Sequence, residues 1–408
     1  MRMKGQKIHM IGIGGIGMSA LAQLYAHEGA VVTGSDRSEQ PTTQMLEKKG
    51  ITVFIGNHAD NVPTDAVLLV YSAAVPSENA ERVRGHELHI PEMNYPEALG
   101  QATKGKRLIA VVGTHGKTTT TAMIGKMLED AGKDPTVVVG SVVPEWHSNF
   151  RSGSSDIFVV EACEYRKHFL AFHPEVLVVT NIEWDHTDFY KTETEFIAAF
   201  DEVKSQAGRV IDASVYQATS VPELLLPGSF NQDNARAAKA GVMALCPDID
   251  EAVLDESLKS FKGTWRRFEY KGKTTGGADV YDDYAHHPTS VAKTIEAARE
   301  KFSGKNIVVF FHPHLYSRTR DLFDGFVEAL TTADQVYVLP VFAAREPHDA
   351  SVSNEALAQA IQKNGGKAEA VDTMEEVTEK IKSFNAGALV FTMGAGDVYK
   401  AGERALAK

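Results

Sequence analysis

The sequence predicts an α/β protein of three domains, and three observations predict it. Its 408 residues are long for a single hydrophobic core. Short apolar runs alternate with helical segments along most of the chain, the pattern of parallel sheets covered by helices. Two glycine-rich turns, at Gly12 and at Gly113, each stand between an apolar run and a helical segment.

Composition narrows the function classes. With 43% hydrophobic and 24% charged residues the chain is an ordinary globular one. The 42 basic against 54 acidic residues give a formal charge of -12 and no Lys/Arg-rich run, so neither a nucleic-acid nor an anionic-membrane partner is expected. Cys163 and Cys246 are the two cysteines and form no C-x-x-C, which excludes a disulfide framework and a cysteine zinc site. No apolar run approaches the roughly 18 residues that span a bilayer. The expectation is a cytoplasmic protein without a membrane span, monomer or homodimer.

The first domain is expected over residues 1–103. "KIHMIGI" reads as a buried strand, the segment from Met18 to Tyr25 as a helix, "AVVTGSD" as the next strand, with further strands at "ITVFIG" and "AVLLVY" and a helix at "SENAERVRGHE". The second domain, 104–263, opens with the strand "RLIAVVG" and the helix "AMIGKMLEDAG", with Gly132 as its C-terminal stop. Its strands "DIFVVEACEY" and "EVLVVTNIEWDH" end in carboxylates. The third domain, 264–408, alternates strands ("ADVYDDYA", "NIVVFFHPH", "DQVYVLP", "ALVFTMGAGD") with helices, one of them "RDLFDGFVEAL".

Gly12, Gly14 and Gly17 form G-x-G-x-x-G, with Gly15 between them and Asp36 ending the following strand. Such glycines let backbone approach a diphosphate whose charge rests on a helix N-terminus, but the motif does not choose between a dinucleotide and a UDP-sugar. "GTHGKTTTT" is a compressed phosphate loop. Gly113 and Gly116 free backbone N–H groups, Lys117 bridges outer phosphates, and the Thr118 hydroxyl suits Mg²⁺. Glu161, at a strand end on the same sheet edge, is a second metal-ligand candidate. His186 fits a metal ligand or a structural hydrogen bond equally, while Glu164, Glu183, Asp185 and Asp188 read at least as well as surface carboxylates or caps. Cys163 reads as a buried small residue.

Eight segments in order, "GIGGIGMSALA", "VVGTHGKTTTTAM", "EACEY", "TNIEWDHTDFY", "GTWRRFE", "DDYAHHPT", "HPHLYSRTRDLF" and "MGAGDVYK", resemble the Mur ligases, most closely the members that add L-alanine to UDP-N-acetylmuramate. The resemblance implies a Rossmann-like UDP-binding domain, a central P-loop ATPase domain and a Rossmann-like C-terminal domain that closes over both. It implies ATP and Mg²⁺ as cofactors, with ATP held by Gly113, Thr114, His115, Gly116, Lys117, Thr118 and Thr119, by Asn231 and Asn234, and by Arg267 and Asp283 from the third domain. Thr118 and Glu161 would hold one Mg²⁺ and His186 would help place another. Gly12, Gly14, Gly15, Gly17, Asp36 and Ser72 would meet the UDP-sugar. Tyr284, His286, His314 and Arg318 would surround the incoming amino acid, with the Arg318 fork available to its carboxylate.

The chemistry so implied is ligation through an acyl phosphate in peptidoglycan synthesis. The alternatives are a recycling ligase that adds a preformed tripeptide to the same sugar nucleotide, and a nicotinamide-dependent dehydrogenase served by the first glycine turn. Three positions depart from the family pattern: the stretch between Tyr190 and Asn231 is short, implying a trimmed central domain, Phe230 replaces a common histidine, and Leu315 replaces arginine or threonine.

Overall fold

A computed structural model describes residues 3–344 and 346–407, and among them three separate sheets form. The first contains β1 (Lys7–Ile11), β2 (Val31–Asp36), β3 (Thr52–Ile55), β4 (Leu68–Tyr71) and β5 (Glu92–Asn94), all parallel, in the order β3-β2-β1-β4-β5. The order reverses between β1 and β4, so the glycine turn after β1 opens at the switch point, where sheets of this kind bind ligands.

The middle sheet contains β6 (Arg107–Val112), β7 (Thr136–Val143), β8 (Ser148–Arg151), β9 (Ile157–Glu161), β10 (Val176–Val179) and β11 (Arg209–Ile211), ordered β11-β10-β6-β9-β7-β8. Only β8 is antiparallel. Register places Val111 beside Glu161 and Val112 beside Val179, so the phosphate loop after β6 lies between the ends of β9 and β10. Between Tyr190 and the helix Ser229–Leu245 that carries Asn231, the chain supplies only β11 and the helices Glu193–Ser205 and Ala213–Tyr216.

The third sheet contains β12 (Glu269–Lys273), β13 (Asp279–Asp283), β14 (Asn306–Phe311), β15 (Gln335–Val338), β16 (Ala368–Ala370) and β17 (Ala388–Met393), ordered β12-β13-β17-β14-β15-β16 with β12 antiparallel. Its parallel strands end together at Asp283, Phe311 and Met393.

The expected strands all form. The expected helix "RDLFDGFVEAL" does not form as one piece: it is split into Tyr316–Asp321 and Phe323–Thr331, because Leu322 takes φ -114° and ψ 22°. The helix Lys117–Asp130 is capped by Ala131, and Gly132 follows at φ 71°, the left-handed position that glycine serves best. The β7–β8 hairpin, β5, β11, β12 and β16 are additions to the sequence reading; short or edge strands carry little periodic signal.

The first two domains share one apolar core. Met10, Leu21 and Leu99 of the first and Leu108, Phe158 and Phe196 of the middle belong to a single buried cluster. A polar seam runs above it. Gln23 donates to Asn149 Oδ1 (3.1 Å) and accepts from the Ser148 hydroxyl (2.9 Å), while Asn149 Nδ2 donates to Ser19 Oγ (3.2 Å). No helix among the described residues is long and apolar enough to cross a membrane.

Candidate active site

Three glycines of the first turn, Gly12, Gly14 and Gly17, are required by its geometry. Gly12 has φ 78°. A Cβ on Gly14 would stand 2.8 Å from Asp36 Oδ2, and one on Gly17 would stand 2.5 Å from Tyr95 Cζ. Asp36 is buried and accepts from the Gly14 N–H (2.9 Å) and from Gln40 Nε2 (3.3 Å), so its carboxylate already braces the turn. Gly15 begins the cap of helix Ile16–His27, and Ser72 packs against Gly12 with its N–H on Ile11 O (3.0 Å). The signal for Tyr95, which roofs this turn, is absent from local sequence because it comes from β5's far end.

The phosphate loop has the form its spacing predicts. Gly113 and Gly116 take φ 135° and 82°, and Gly116 caps the helix that begins at Lys117. A Cβ on Gly116 would collide with Asn234 Oδ1 at 2.1 Å, so a glycine is required where that asparagine packs. Thr118 donates to Glu161 Oε1 (2.9 Å), whose other oxygen accepts from the Gly140 N–H (2.6 Å). Thr119 is buried in the first turn of the same helix. Lys117 Nζ bonds the carbonyls of Gly113 and Thr114 and forms a 2.8 Å ion pair with Glu164.

Glu164 and Asp185 are corrections to the surface reading. Glu164 is 1% exposed, and its Oε1 also meets His186 Nε2 at 3.1 Å. Burial pushes this carboxyl upward, but the Lys117 charge and the His186 hydrogen bond prevail and hold it at about 2. The same carboxylate raises the Lys117 ammonium against its own burial. His186 takes φ 54°, and its ring lies 4.9 Å from that of Tyr165. Cys163 is exposed on the cavity rather than buried in the core, a correction to its reading as a buried small residue.

Asp185 is also buried and takes both arms of Arg318: Nε–Oδ1 is 2.9 Å and Nη2–Oδ2 is 3.3 Å. The Arg318 fork, expected to be available to a ligand carboxylate, is therefore committed to the middle domain. Its Nη1 donates to His314 Nδ1 (3.2 Å). His286 Nδ1 meets the carbonyl of Tyr284 at 2.8 Å, which fixes the hydrogen on Nδ1 and leaves Nε2 as an acceptor. Burial, with Arg318 nearby, holds this imidazole well below its usual range and neutral. Leu315 is buried at φ 69° with its N–H on Phe342 O, so it packs and caps within the third domain.

Arg267 reaches across the domain boundary to Thr118, Nη2 to Oγ1 being 3.3 Å. Asp283 accepts from the N–H groups of Phe268 (2.8 Å) and Ala285 (2.8 Å); burial raises it to about 6 against the pull of Arg267. Asn231 Nδ2 donates to Pro227 O (2.7 Å), and Asn234 Nδ2 to Asn231 Oδ1 (3.3 Å).

These residues line two adjoining cavities. One lies between the phosphate loop, Tyr216, Phe230, Asn231 and Asn234 of the middle domain and Phe268, Asp283 and Lys293 of the third. Its aromatic and polar walls suit a nucleoside. The other is walled by all three domains: Gly17 and Tyr95, Lys117, Thr118, Glu161 and His186, and Arg267, Tyr284 and His286. Thr118 and Glu161 offer hydrogen-bonded oxygens on this cavity, a donor set that fits a hard cation retaining several waters. Arg318 and His314 stand behind the second cavity through Asp185, while Gly12, Gly14, Gly15, Asp36 and Ser72 line neither.

The comparisons with known proteins agree with this geometry. The family model described as "Mur ligase family, catalytic domain" matches residues 7–107, "Mur ligase middle domain" matches 111–211, and "Mur ligase, glutamate ligase domain" matches 266–396. The chain is 40% identical to the UDP-N-acetylmuramate–L-alanine ligase of Desulfitobacterium hafniense over 449 aligned positions, covering 97% of this chain and 98% of that one. It is 36% identical to the protein of the same name from Clostridium novyi, covering 98% and 96%. An alignment of 449 positions onto 408 residues leaves at least 41 of them opposite gaps in this chain. The UDP-N-acetylmuramate-alanine ligase of Thermotoga maritima superposes with a TM-score of 0.83 at 30% identity, covering 98% and 97%. A murein peptide ligase from Psychrobacter arcticus shares the fold at a TM-score of 0.67 and 21% identity, covering 99% and 100%. Matched over residues 7–107, 111–211 and 266–396 by the models of one family, and through nearly its whole length by that family's members, the chain belongs to the Mur ligase family.

Proposed function

We propose that the protein is an ATP-dependent ligase joining L-alanine to the carboxylate of UDP-N-acetylmuramate in cytoplasmic peptidoglycan synthesis. One observation carries the reading: Lys117, Thr118 with Glu161, and Arg267 converge from two domains on a cavity whose further wall is Ile16, Gly17 and Tyr95 of a third. The full-length relatives with that printed name supply the substrates.

In this reading the uridine diphosphate rests on the turn Gly12–Gly17, and the muramyl carboxylate extends past Tyr95 into the shared cavity. ATP occupies the cavity of Asn231, Asn234 and Asp283, its phosphates on the loop 113–119. Thr118 and Glu161 would hold one Mg²⁺ and His186 would help place a second, which would supply positive charge against the transferring phosphoryl group. A muramyl carboxylate oxygen attacks the γ-phosphorus and ADP leaves, giving an acyl phosphate. Lys117, the loop N–H groups and Arg267 hold the spread negative charge of that transfer. The free amine then attacks the acyl carbon, and phosphate departs from the tetrahedral intermediate as the amine gives up its proton. His286, neutral with its Nε2 lone pair available, orients the amine by accepting one N–H. Arg318 and His314 hold that wall of the pocket through Asp185.

A tripeptide-adding enzyme would use the same first two domains, and its solved representatives resemble this chain in fold alone. A dehydrogenase would leave the phosphate loop and its Glu161–Thr118 pair without a role. The test is phosphate release with UDP-N-acetylmuramate, Mg-ATP and a panel of L-alanine, glycine, L-serine and the tripeptide. Amide product with L-alanine supports the proposal. Turnover with the tripeptide alone, or none with any acceptor, overturns it.

A further inference from the structure

The phosphate loop touches the third domain at a second place, away from Arg267. His115 Nε2 lies 2.9 Å from Glu183 Oε2, and its Nδ1 lies 3.1 Å from the Ser290 hydroxyl. The other Glu183 oxygen, Oε1, accepts a short hydrogen bond from the Thr289 hydroxyl. Because a carboxylate only accepts, His115 carries hydrogen on Nε2, and its Nδ1 pairs with the Ser290 hydroxyl. One imidazole and one carboxylate of the middle domain are thereby matched by two adjacent hydroxyls of the third.

Glu183 is fixed on its own side as well. The Thr114 hydroxyl donates to the Glu183 carbonyl (2.6 Å) and accepts from the Glu183 N–H (2.9 Å). Its carboxylate faces the first turn of helix Pro288–Lys301, whose cap is His287, so the helix dipole favours the negative charge there. Burial raises the Glu183 carboxyl less than His115 and Thr289 lower it, and it is held at about 2. The loop residue two positions before the phosphate-binding lysine thus forms part of the docking joint.

We infer that Glu183, Thr289 and Ser290 are positioning residues that make docking of the third domain conditional on the conformation of the phosphate loop, with His115 as the shared part. The inference rests on the ligase reading. A loop displaced from its phosphate-bearing form carries His115 away from Ser290 and loosens Glu183 from Thr289. Docking and loop conformation then stabilise each other, so the third domain closes when the loop is set for phosphoryl transfer. Closure at that moment keeps water from the acyl phosphate.

The test is the double substitution Thr289→Val with Ser290→Ala, which removes both hydroxyls at nearly constant volume. ADP and amide product are measured together with saturating UDP-N-acetylmuramate and L-alanine. We expect kcat to fall roughly tenfold or more, with KM for ATP changed by less than about threefold, since ATP first meets the undocked loop. ADP formed per amide should rise as the acyl phosphate meets water. Thr289→Ser, which keeps the hydroxyl, should restore kcat to within about threefold of the parent level when Ser290 is intact. A double variant with the parent's kcat and one ADP per amide overturns the inference, as does a Thr289→Ser enzyme no better than the double variant. Absence of turnover in the parent enzyme would instead overturn the ligase reading.

Discussion

Arg318 of the third domain closes its guanidinium fork on Asp185 of the middle domain, at 2.9 and 3.3 Å, with both groups buried. Two charges removed from water this completely depend on each other. Burial alone would raise the Asp185 carboxyl, and the Arg318 charge holds it well below its usual range. Replacing either partner by alanine strands the other, at about 3–5 kcal/mol, whereas a paired Asp185→Leu, Arg318→Met chain should recover most of that loss. The first urea transition of the four proteins measures it. Equal and additive losses from the two single substitutions would show that the residues do not support each other.

Lys117→Ala should lower kcat by about 10²–10³, the scale of one donor lost from a charge-stabilising site. Binding of the sugar nucleotide, measured by calorimetry, should stay within about twofold, because the glycine turn belongs to another domain. A variant that loses sugar-nucleotide affinity and keeps its kcat would place Lys117 in a different role.

Gly17→Ala puts a methyl group 2.5 Å from the Tyr95 ring, closer than any real carbon contact. The ring must move, and the roof of the turn moves with it. UDP-sugar affinity should fall at least about tenfold, the result of a displacement near 1 Å at a fitted site, while Mg-ATP binding in the middle domain stays as it was. Trimming the ring in a Gly17→Ala, Tyr95→Ala chain should return part of the affinity.

Glu164 titrates at about 2 in the folded protein against 4.5 for a free side chain. The unfolded chain therefore binds the extra proton between these values, and stability falls as pH drops from 4.5 toward 2. Above 4.5 the contribution is complete. In Glu164→Gln the slope of unfolding free energy against pH within that window should lessen by about one proton. An unchanged slope would mean that Lys117 and His186 do not hold the carboxylate as described.

The sequence revealed the parts of the site whose chemistry is local. Gly113, Gly116, Lys117 and Thr118 lie within one turn of chain, and Glu161 could be found because a parallel sheet brings strand ends to one edge. Glu164, Asp185 and Glu183 could not be ranked, since what pairs with them is Lys117, Arg318 and Thr289, between 47 and 133 residues away. Tyr95, Ser290 and Lys293 had no signal for the same reason. The long third-domain helix reads as unbroken because Leu322 and Phe323 both suit a helix by composition; only the backbone bend at Leu322 divides it.

The apolar core common to the first and middle domains, sealed by Gln23, Ser148 and Asn149, has a mechanical meaning. Those two lobes behave as a single anvil, and the third lobe is the hammer, attached by the Arg318–Asp185 pair, by hydroxyl contacts and by Phe230 packed against its core. Amide exchange should therefore divide in two, with the seam slow throughout and the Thr289–Ser290 and Arg318 contacts quickening whenever substrates are withdrawn.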